Sequence, residues 1–281
     1  MSGWIPWFFF GVEANTNFHS DLDVRARKLI VTGLNLTDFR NKAKPRPKTE
    51  VKPMFQGMIM RLNFPLKLDT LQIVNGQIAY GENVPQKGES WQIHWTNLNG
   101  QVFNLTSIPE NQSLFGQFEA RIQGELKGDG KLDFNLRVPY EREEFFLEVA
   151  LSNFDMTTLN STLKPIMNGK ITSGHLDRLK MVIHSSETLA KVDMIFDYRD
   201  LKLELFNKKG DKKNIFSSSL ANLALNHSNL PGDKKYLTPS YALIRNKTRG
   251  PFFLIWQSTK EGMMKIVPGG AAKKLLEAKE D

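Results

Sequence analysis

Apolar and polar residues alternate along the middle of the chain. Residues 118–126 place an apolar or small side chain at every second position, and residues 132–138 repeat this after Gly128-Asp129-Gly130. A period of two residues is typical of a β-strand that buries one face. Because Gly and Asp tolerate the positive φ angles of a tight turn, we predict a β-hairpin over these two runs.

The same period continues through residues 145–151, 179–183 and 190–198. A further apolar row, at residues 201–205, is offset by one position from the row before it. An extra residue in a strand shifts its faces in this way, so we predict a β-bulge at Arg199-Asp200.

Helical patterns are confined to two segments. Residues 155–164 begin with a capping Asp and end before a proline, which predicts one short helix between two strands. Residues 251–266 have apolar positions three to four apart behind an initial proline, which predicts an amphipathic helix. Residues 41–53 are basic and proline-rich and predict an irregular connector, and we expect residues 269–281 to form a mobile tail.

Composition removes several classes of function. The 281 residues include no cysteine, which excludes thiol nucleophiles, disulfides, zinc fingers and iron–sulfur clusters. The net charge of +8 is too small and too dispersed for a dedicated nucleic-acid binder. The five histidines show no metal-type spacing, so we predict no metal and no cofactor.

Candidate catalytic groups are sparse. Asp193 and Asp197 share one face of a predicted strand and could in principle act as a carboxylate pair. Outward-facing charges on a half-buried strand are the simpler interpretation, and no GxSxG motif is present. We therefore predict that the protein is not an enzyme.

The start of the chain is very apolar but short. Residues 4–10 contain two tryptophans and three phenylalanines around a proline, without a cationic leader. This is a poor signal peptide, and no segment of the sequence approaches the roughly 20 apolar residues of a membrane-spanning helix. A buried strand, an interfacial anchor and the interior of a longer parent chain all remain open.

The apolar rows allow two interpretations. They could pack against a second sheet as the core of a β-sandwich. They could instead line a groove, in which one long curved sheet presents its apolar face to lipid tails. The alternation assigns residues to faces but does not separate these two interpretations.

Several segments, taken in order, resemble one family. Residues 66–80 contain a strand, Asn75-Gly76 and a second strand that ends in Tyr80. The other segments are residues 151–160, residues 171–177 and residues 196–205, the last of these followed by Ala221-Asn222. In order and spacing, over roughly residues 66–260, these segments resemble the carboxy-terminal module of AsmA-like envelope proteins, in the form common in Bacteroidetes.

The resemblance implies a mainly β fold: a long, twisted antiparallel sheet that forms a bent groove, with one short connecting helix and a C-terminal amphipathic helix. It implies the periplasm of a Gram-negative bacterium, with inner-membrane association of the full-length form. It further implies a role without catalysis in phospholipid transport between membranes or in outer-membrane biogenesis. The family usually begins with a membrane-spanning helix, which this sequence lacks, so a fragment, a misplaced start and a short form all remain open.

We expect four regions: N-terminal strands and connector (1–60), a β domain (61–250), an amphipathic helix (251–268) and the tail (269–281). Phe252, Phe253 and Trp256 of the helix are candidate membrane contacts, and phospholipid or another acyl lipid is the expected partner. The candidate groove-lining residues are Ile78, Tyr80, Trp91, Ile93, Phe118, Ile122, Leu132, Phe134, Leu147, Val149, Met181, Ile183, Val192, Met194, Phe196, Leu203 and Leu205.

Two other functions compete with lipid handling. A structural or adaptor β-sandwich could bind a partner through the edges of its sheet. A hydrolase or carbohydrate-binding β domain would require a polar cleft with clustered carboxylates, and the charged residues are too dispersed to favour it.

Overall fold

A computed structural model describes residues 22–44, 49–166, 169–206 and 225–269. The predictions for the apolar start of the chain, for residues 45–48 of the connector and for the tail from residue 270 onward lie outside these residues.

The described residues form one ten-stranded sheet. Its strands are β1 (Val24–Thr32), β2 (Asn35–Arg40), β3 (Leu66–Val84), β4 (Glu89–Thr106), β5 (Gln117–Leu126), β6 (Gly130–Pro139), β7 (Phe145–Asp155), β8 (Gly169–Ser185), β9 (Leu189–Leu205) and β10 (Ser240–Ile244). From β4 to β10 each strand pairs antiparallel with the strand before it in the chain. The sheet is open, because β1 and β10 lie at opposite ends of the strand order. The prediction of a mainly β, antiparallel fold is thus confirmed.

The first edge of the sheet departs from the antiparallel pattern. Both β1 and β2 run parallel to β3, in the same register, from Val24 opposite Leu66 to Arg40 opposite Glu82. Gly33, with φ at 69°, lies between β1 and β2, where the regular pairing with β3 is interrupted. The two strands therefore act as one edge strand, and this parallel pairing was not predicted.

The helices are α1 (Phe55–Met60), α2 (Pro109–Phe115), α3 (Asn160–Leu163) and α4 (Pro251–Ile266). The predicted connecting helix is a 3₁₀ turn, Met156–Leu159, that continues into α3. As predicted, Asp155 caps it and accepts a hydrogen bond from the backbone N–H of Thr157. The predicted helix at 251–266 coincides with α4. The helices α1 and α2 were missed because one to two turns are too short to establish a helical period.

Cross-strand pairing aligns the apolar rows on one face of the sheet, the apolar face. One such row runs directly across β5 to β9 and is buried throughout: Ala120, Leu136, Leu147, Ile183 and Val192. The opposite face, the polar face, presents charged and amide side chains such as Arg121, Asn135 and Glu148 to solvent. The buried row across β5 to β9 is part of the large cluster of buried apolar residues that forms the core of the described structure.

Local irregularities occur where the apolar rows change phase. Asp200 has φ at 57°, and β9 gains one residue over β8 between Arg199 and Lys202, so the predicted bulge is confirmed. In the β5–β6 turn, however, the positive φ angles fall on Lys127 and Gly128 rather than on Asp129.

The segment that follows β10 contacts the connector that follows β2. Burial, followed by the like charge of Arg40 at the end of β2, lowers the pKa of Arg249 just before α4. The backbone N–H of Lys52 in the connector donates to the carbonyl of Lys247 at 2.8 Å. The buried Arg245 guanidinium donates to the carbonyl of Lys52 and to the Glu143 carboxylate. These contacts hold the connector across the end of the sheet.

Candidate functional site

The predicted lining residues separate into two groups. One group is buried, so its members are core residues in this structure rather than an open lining: Phe118, Leu147, Met181, Ile183, Val192, Met194 and Phe196. The other group stays half-buried: Ile78, Tyr80, Trp91, Ile93, Ile122, Leu132, Phe134, Val149 and Leu203. The side chain of Leu205 lies outside the described part of the chain.

The helix α4 packs tightly on the apolar face over β8, β9 and β10. The Tyr241 hydroxyl of β10 donates to the Ser258 carbonyl at 2.6 Å, and the Thr259 hydroxyl lies 3.8 Å from Met181 Sδ. At Gly262 the helix backbone comes so close that a Cβ atom would lie 2.7 Å from Met194 Cε. This packing closes the region around Met181 and Met194.

Near the same end of the strands, α1 adds a second cover. The Phe55 ring meets Phe145 edge-on at 5.3 Å, and Met54 beside it is fully buried. The Gln56 amide donates to the Tyr140 carbonyl at 2.8 Å, which fixes α1 at the end of β6. The apolar face is therefore closed at this end.

The 3₁₀ turn and α3 cover the opposite end. The Thr162 hydroxyl donates to the Gln92 carbonyl of β4 at 2.7 Å, so α3 bridges from β7 to β4. The Lys127 ammonium, whose pKa is lowered by burial, donates to the Ser161 hydroxyl at 2.8 Å. The half-buried Leu159 and Leu163 pack against the core here.

Between these covers, part of the apolar face remains accessible. Ile122, Phe134 and Val149 lie directly opposite one another across β5, β6 and β7, and all three are half-buried. Half-buried Leu132 lies on β6, two residues before Phe134, and half-buried Val102 lies on β4 beside β5. We call these residues the central apolar patch: Val102, Ile122, Leu132, Phe134 and Val149.

The distal part of the β3–β4 hairpin adds a second half-buried group. Tyr80 and Trp91 meet edge-on with their ring centroids 5.8 Å apart. The Tyr80 hydroxyl donates to Glu82 at 2.7 Å, and burial raises the pKa of Tyr80. The indole N–H of Trp91 is buried without a hydrogen-bond partner. Ile78 and Ile93 lie on the same two strands as these aromatic residues.

The carboxylates considered as a catalytic pair are in different environments. Asp193 is exposed and bonds to the Ser240 hydroxyl. Asp197 is buried, which contradicts the outward-facing interpretation. It accepts hydrogen bonds at 2.8 Å from the Arg178 guanidinium and at 2.8 Å from the Tyr236 hydroxyl. The contact with Tyr236 spans 39 residues, so the strand pattern gave no signal of this burial.

An open polar cleft of about 420 Å³ lies where β7, β8 and β9 become irregular. Its lining residues are Asp155, Thr157, Thr172, Ser173, Gly174, His175 and Asp200. Hydrogen bonds from Thr157, and further the charge of His175, hold the pKa of Asp155 below its ordinary value. This carboxylate is engaged in capping the 3₁₀ turn. In the described ranges, no group of three or more His, Asp and Glu side chains could hold a metal ion.

The candidate membrane contacts on α4 also divide. Phe252 and Trp256 are exposed on the outer side of the helix. Phe253 is half-buried, with the Arg249 guanidinium 5.0 Å from its ring centroid. Phe252 also meets Phe55 edge-on at 5.2 Å, so it links the surface of α4 to α1.

Comparison with known proteins adds no family: no family model, no curated protein and no solved structure matches this chain. Within the described residues, none of the helices has the length and apolar character needed to cross a bilayer.

Proposed function

We propose that this protein binds acyl lipid on the central apolar patch and handles phospholipid without catalysis. The setting we propose is the periplasmic envelope of a Gram-negative bacterium, in lipid transport between membranes or outer-membrane biogenesis. The resemblance of residues 66–260 to AsmA-like envelope proteins motivates this setting.

One observation supports lipid binding above the others. The apolar face is buried at both ends, whereas the row Ile122, Phe134 and Val149 in its middle is only partly buried. Its members belong to three adjacent strands and therefore form a continuous surface. Neighbouring strands lie about 4.8 Å apart, so three side chains in a row match several methylene groups of an acyl chain.

The physical driving force is burial of hydrocarbon. Each methylene group removed from water contributes about 0.8 kcal/mol, so an acyl chain laid along the patch gains several kcal/mol. The polar head group stays in water beyond the patch. Binding and release need only an exchange of apolar contacts, and no bond in the lipid is formed or broken.

A photo-crosslinking experiment tests this function. A photoreactive phenylalanine analogue replaces Phe134 on the patch, and a matched control places it at Asn135, which is exposed on the polar face of the same strand. Each variant is purified from its native membranes, irradiated and analysed by mass spectrometry for lipid adducts. We expect adducts at residue 134 and not at residue 135. Equal labelling at both positions, or none at 134, would refute the proposal.

The sheet edge supports a second candidate function, an adaptor that binds a partner by strand addition. The edge formed by β1 and β2 exposes Ile30 and Phe39. The outer side of β9 is instead occupied by the segment that precedes β10. There the backbone N–H of Asn229 donates to the Tyr198 carbonyl, and the backbone N–H of Leu201 donates to the His227 carbonyl. A crosslinker at residue 30 that captures one defined protein, with no lipid captured at residue 134, would favour the adaptor.

A further inference from the structure

The outer side of α4 presents large apolar groups to solvent in a regular stripe. Phe252 is 53% exposed, Trp256 61% and Met264 42%. Together with exposed Lys260 they are spaced four residues apart, which keeps them on one side of a helix. We call these residues the outer stripe: Phe252, Trp256, Lys260 and Met264. At about 1.5 Å per residue it extends for roughly 18 Å along the helix.

The inner side of α4 is already occupied, so the helix cannot rotate to hide this stripe. Leu254, Ser258, Gly262 and Ile266 are buried. The Tyr241 hydroxyl bonds the Ser258 carbonyl at 2.6 Å and fixes the helix on the sheet. The outer stripe is therefore a permanent surface feature of the folded chain.

The charges around the stripe are mainly positive. Lys260 lies within it, and Arg249 stacks on the neighbouring Phe253 ring at 5.0 Å. Lys265 lies next to Met264 and pairs with Glu261 at 3.1 Å, the one acidic residue of the helix. The whole chain has a net charge of +8. A surface that attracts this helix by charge is therefore anionic.

We propose that α4 docks flat on an anionic lipid bilayer through the outer stripe. Phe252 and Trp256 insert their rings at the boundary between head groups and acyl chains, where aromatic side chains are favoured. Lys260 extends its aliphatic stem along the apolar boundary and places its ammonium among the lipid phosphates. The docking surface is separate from the central apolar patch, and its proposal stands or falls independently of lipid binding there.

Vesicle flotation tests the docking surface. The 281-residue protein is mixed with phosphatidylcholine vesicles that contain or lack phosphatidylglycerol, and the bound fraction gives a partition coefficient. We expect binding that requires phosphatidylglycerol and weakens as salt is raised. Trp256→Ser should weaken it about tenfold, and Lys260→Glu should weaken it by a similar factor on the anionic vesicles alone.

The matched controls remove exposed apolar side chains elsewhere. Leu114→Ser and Ile244→Ser replace residues that are 77% and 85% exposed, outside α4. We expect both to float like the parent protein. Because Trp256 and Lys260 are exposed, their variants should also unfold at the parent urea midpoint.

The possible outcomes separate cleanly. Flotation unchanged by Trp256→Ser and Lys260→Glu, or reduced equally by the controls, overturns the docking proposal. Absence of flotation on the anionic vesicles overturns it as well, and capture of one defined protein by a crosslinker at residue 256 then favours a protein partner. In detergent-solubilised lipid, Trp256→Ser should retain the crosslink at residue 134. If the parent protein forms no lipid crosslink at residue 134, lipid binding at the central apolar patch is refuted. The proposal that α4 docks on a bilayer is not affected by that result.

Discussion

The close approach of α4 to the sheet at Gly262 gives a prediction with opposing contributions. Replacing glycine by alanine inside a helix ordinarily stabilises it by about 1 kcal/mol, because glycine has the larger conformational entropy to lose. Here the new Cβ atom would lie 2.5 Å from the Tyr241 hydroxyl oxygen and 2.7 Å from Met194 Cε. Such distances require one of these groups to move.

Neither neighbour of Gly262 can move freely. Met194 is buried within the core, and the Tyr241 hydroxyl is held by the Ser258 carbonyl. Overpacking of a core costs about 1–3 kcal/mol. When the gain in helix propensity is subtracted from this packing cost, we expect Gly262→Ala to lower the free energy of unfolding by about 1 kcal/mol.

Urea unfolding followed by circular dichroism measures this change. At a slope of about 3 kcal/mol per M, the midpoint should fall by about 0.3 M. A double-mutant cycle with Met194→Ala isolates the steric contribution. Once the methionine is removed, Gly262→Ala should destabilise the protein less than it does in the parent, because only the contact with the Tyr241 hydroxyl remains. If Gly262→Ala stabilises the parent protein by the full helix-propensity value, α4 does not pack this closely on β9, and the cover over Met181 and Met194 is wrong.

Two further predictions concern contacts at the ends of the sheet. Arg245→Met should lower the free energy of unfolding by about 3 kcal/mol, because the carbonyls of Lys52 and Glu187 and the Glu143 carboxylate lose the donor that the buried guanidinium supplies. Urea unfolding measures it, and a loss below about 1 kcal/mol would contradict this role of the guanidinium. Asp155→Ala should cost up to about 1 kcal/mol at neutral pH through loss of the cap. Because the folded pKa of Asp155 is lowered, the parent protein should keep this advantage above about pH 4 and lose it as the pH falls further; an advantage that persists at the lowest pH would contradict it.

The local patterns were sufficient for the elements they define. The β5–β6 hairpin, the bulge at Asp200 and the bounds of α4 follow from alternation, turn residues and helical spacing. Each depends on residues close together in the sequence, so their side-chain order already encodes them. The division into an apolar and a polar face was predictable for the same reason.

The candidate site was predictable only in part. Alternation placed Phe134 and Met194 on the same face, but it could not show that α4 buries Met194 and leaves Phe134 only partly buried. Gly262 lies 68 positions from Met194 in the numbering, and no local pattern connects them. Similarly, the contact of Asp197 with Tyr236 brings an irregular segment onto the sheet, and this segment buries a carboxylate that the strand pattern assigned to solvent.

The sequence by itself therefore determined which side chains share a face, because the two-residue period of a strand is a property of the backbone. Only the tertiary structure decided which of those side chains remain accessible, which strands pair parallel with β3, and which side of α4 faces outward. These features depend on packing between segments far apart in the chain, where burial of apolar surface selects among arrangements that local conformation permits equally.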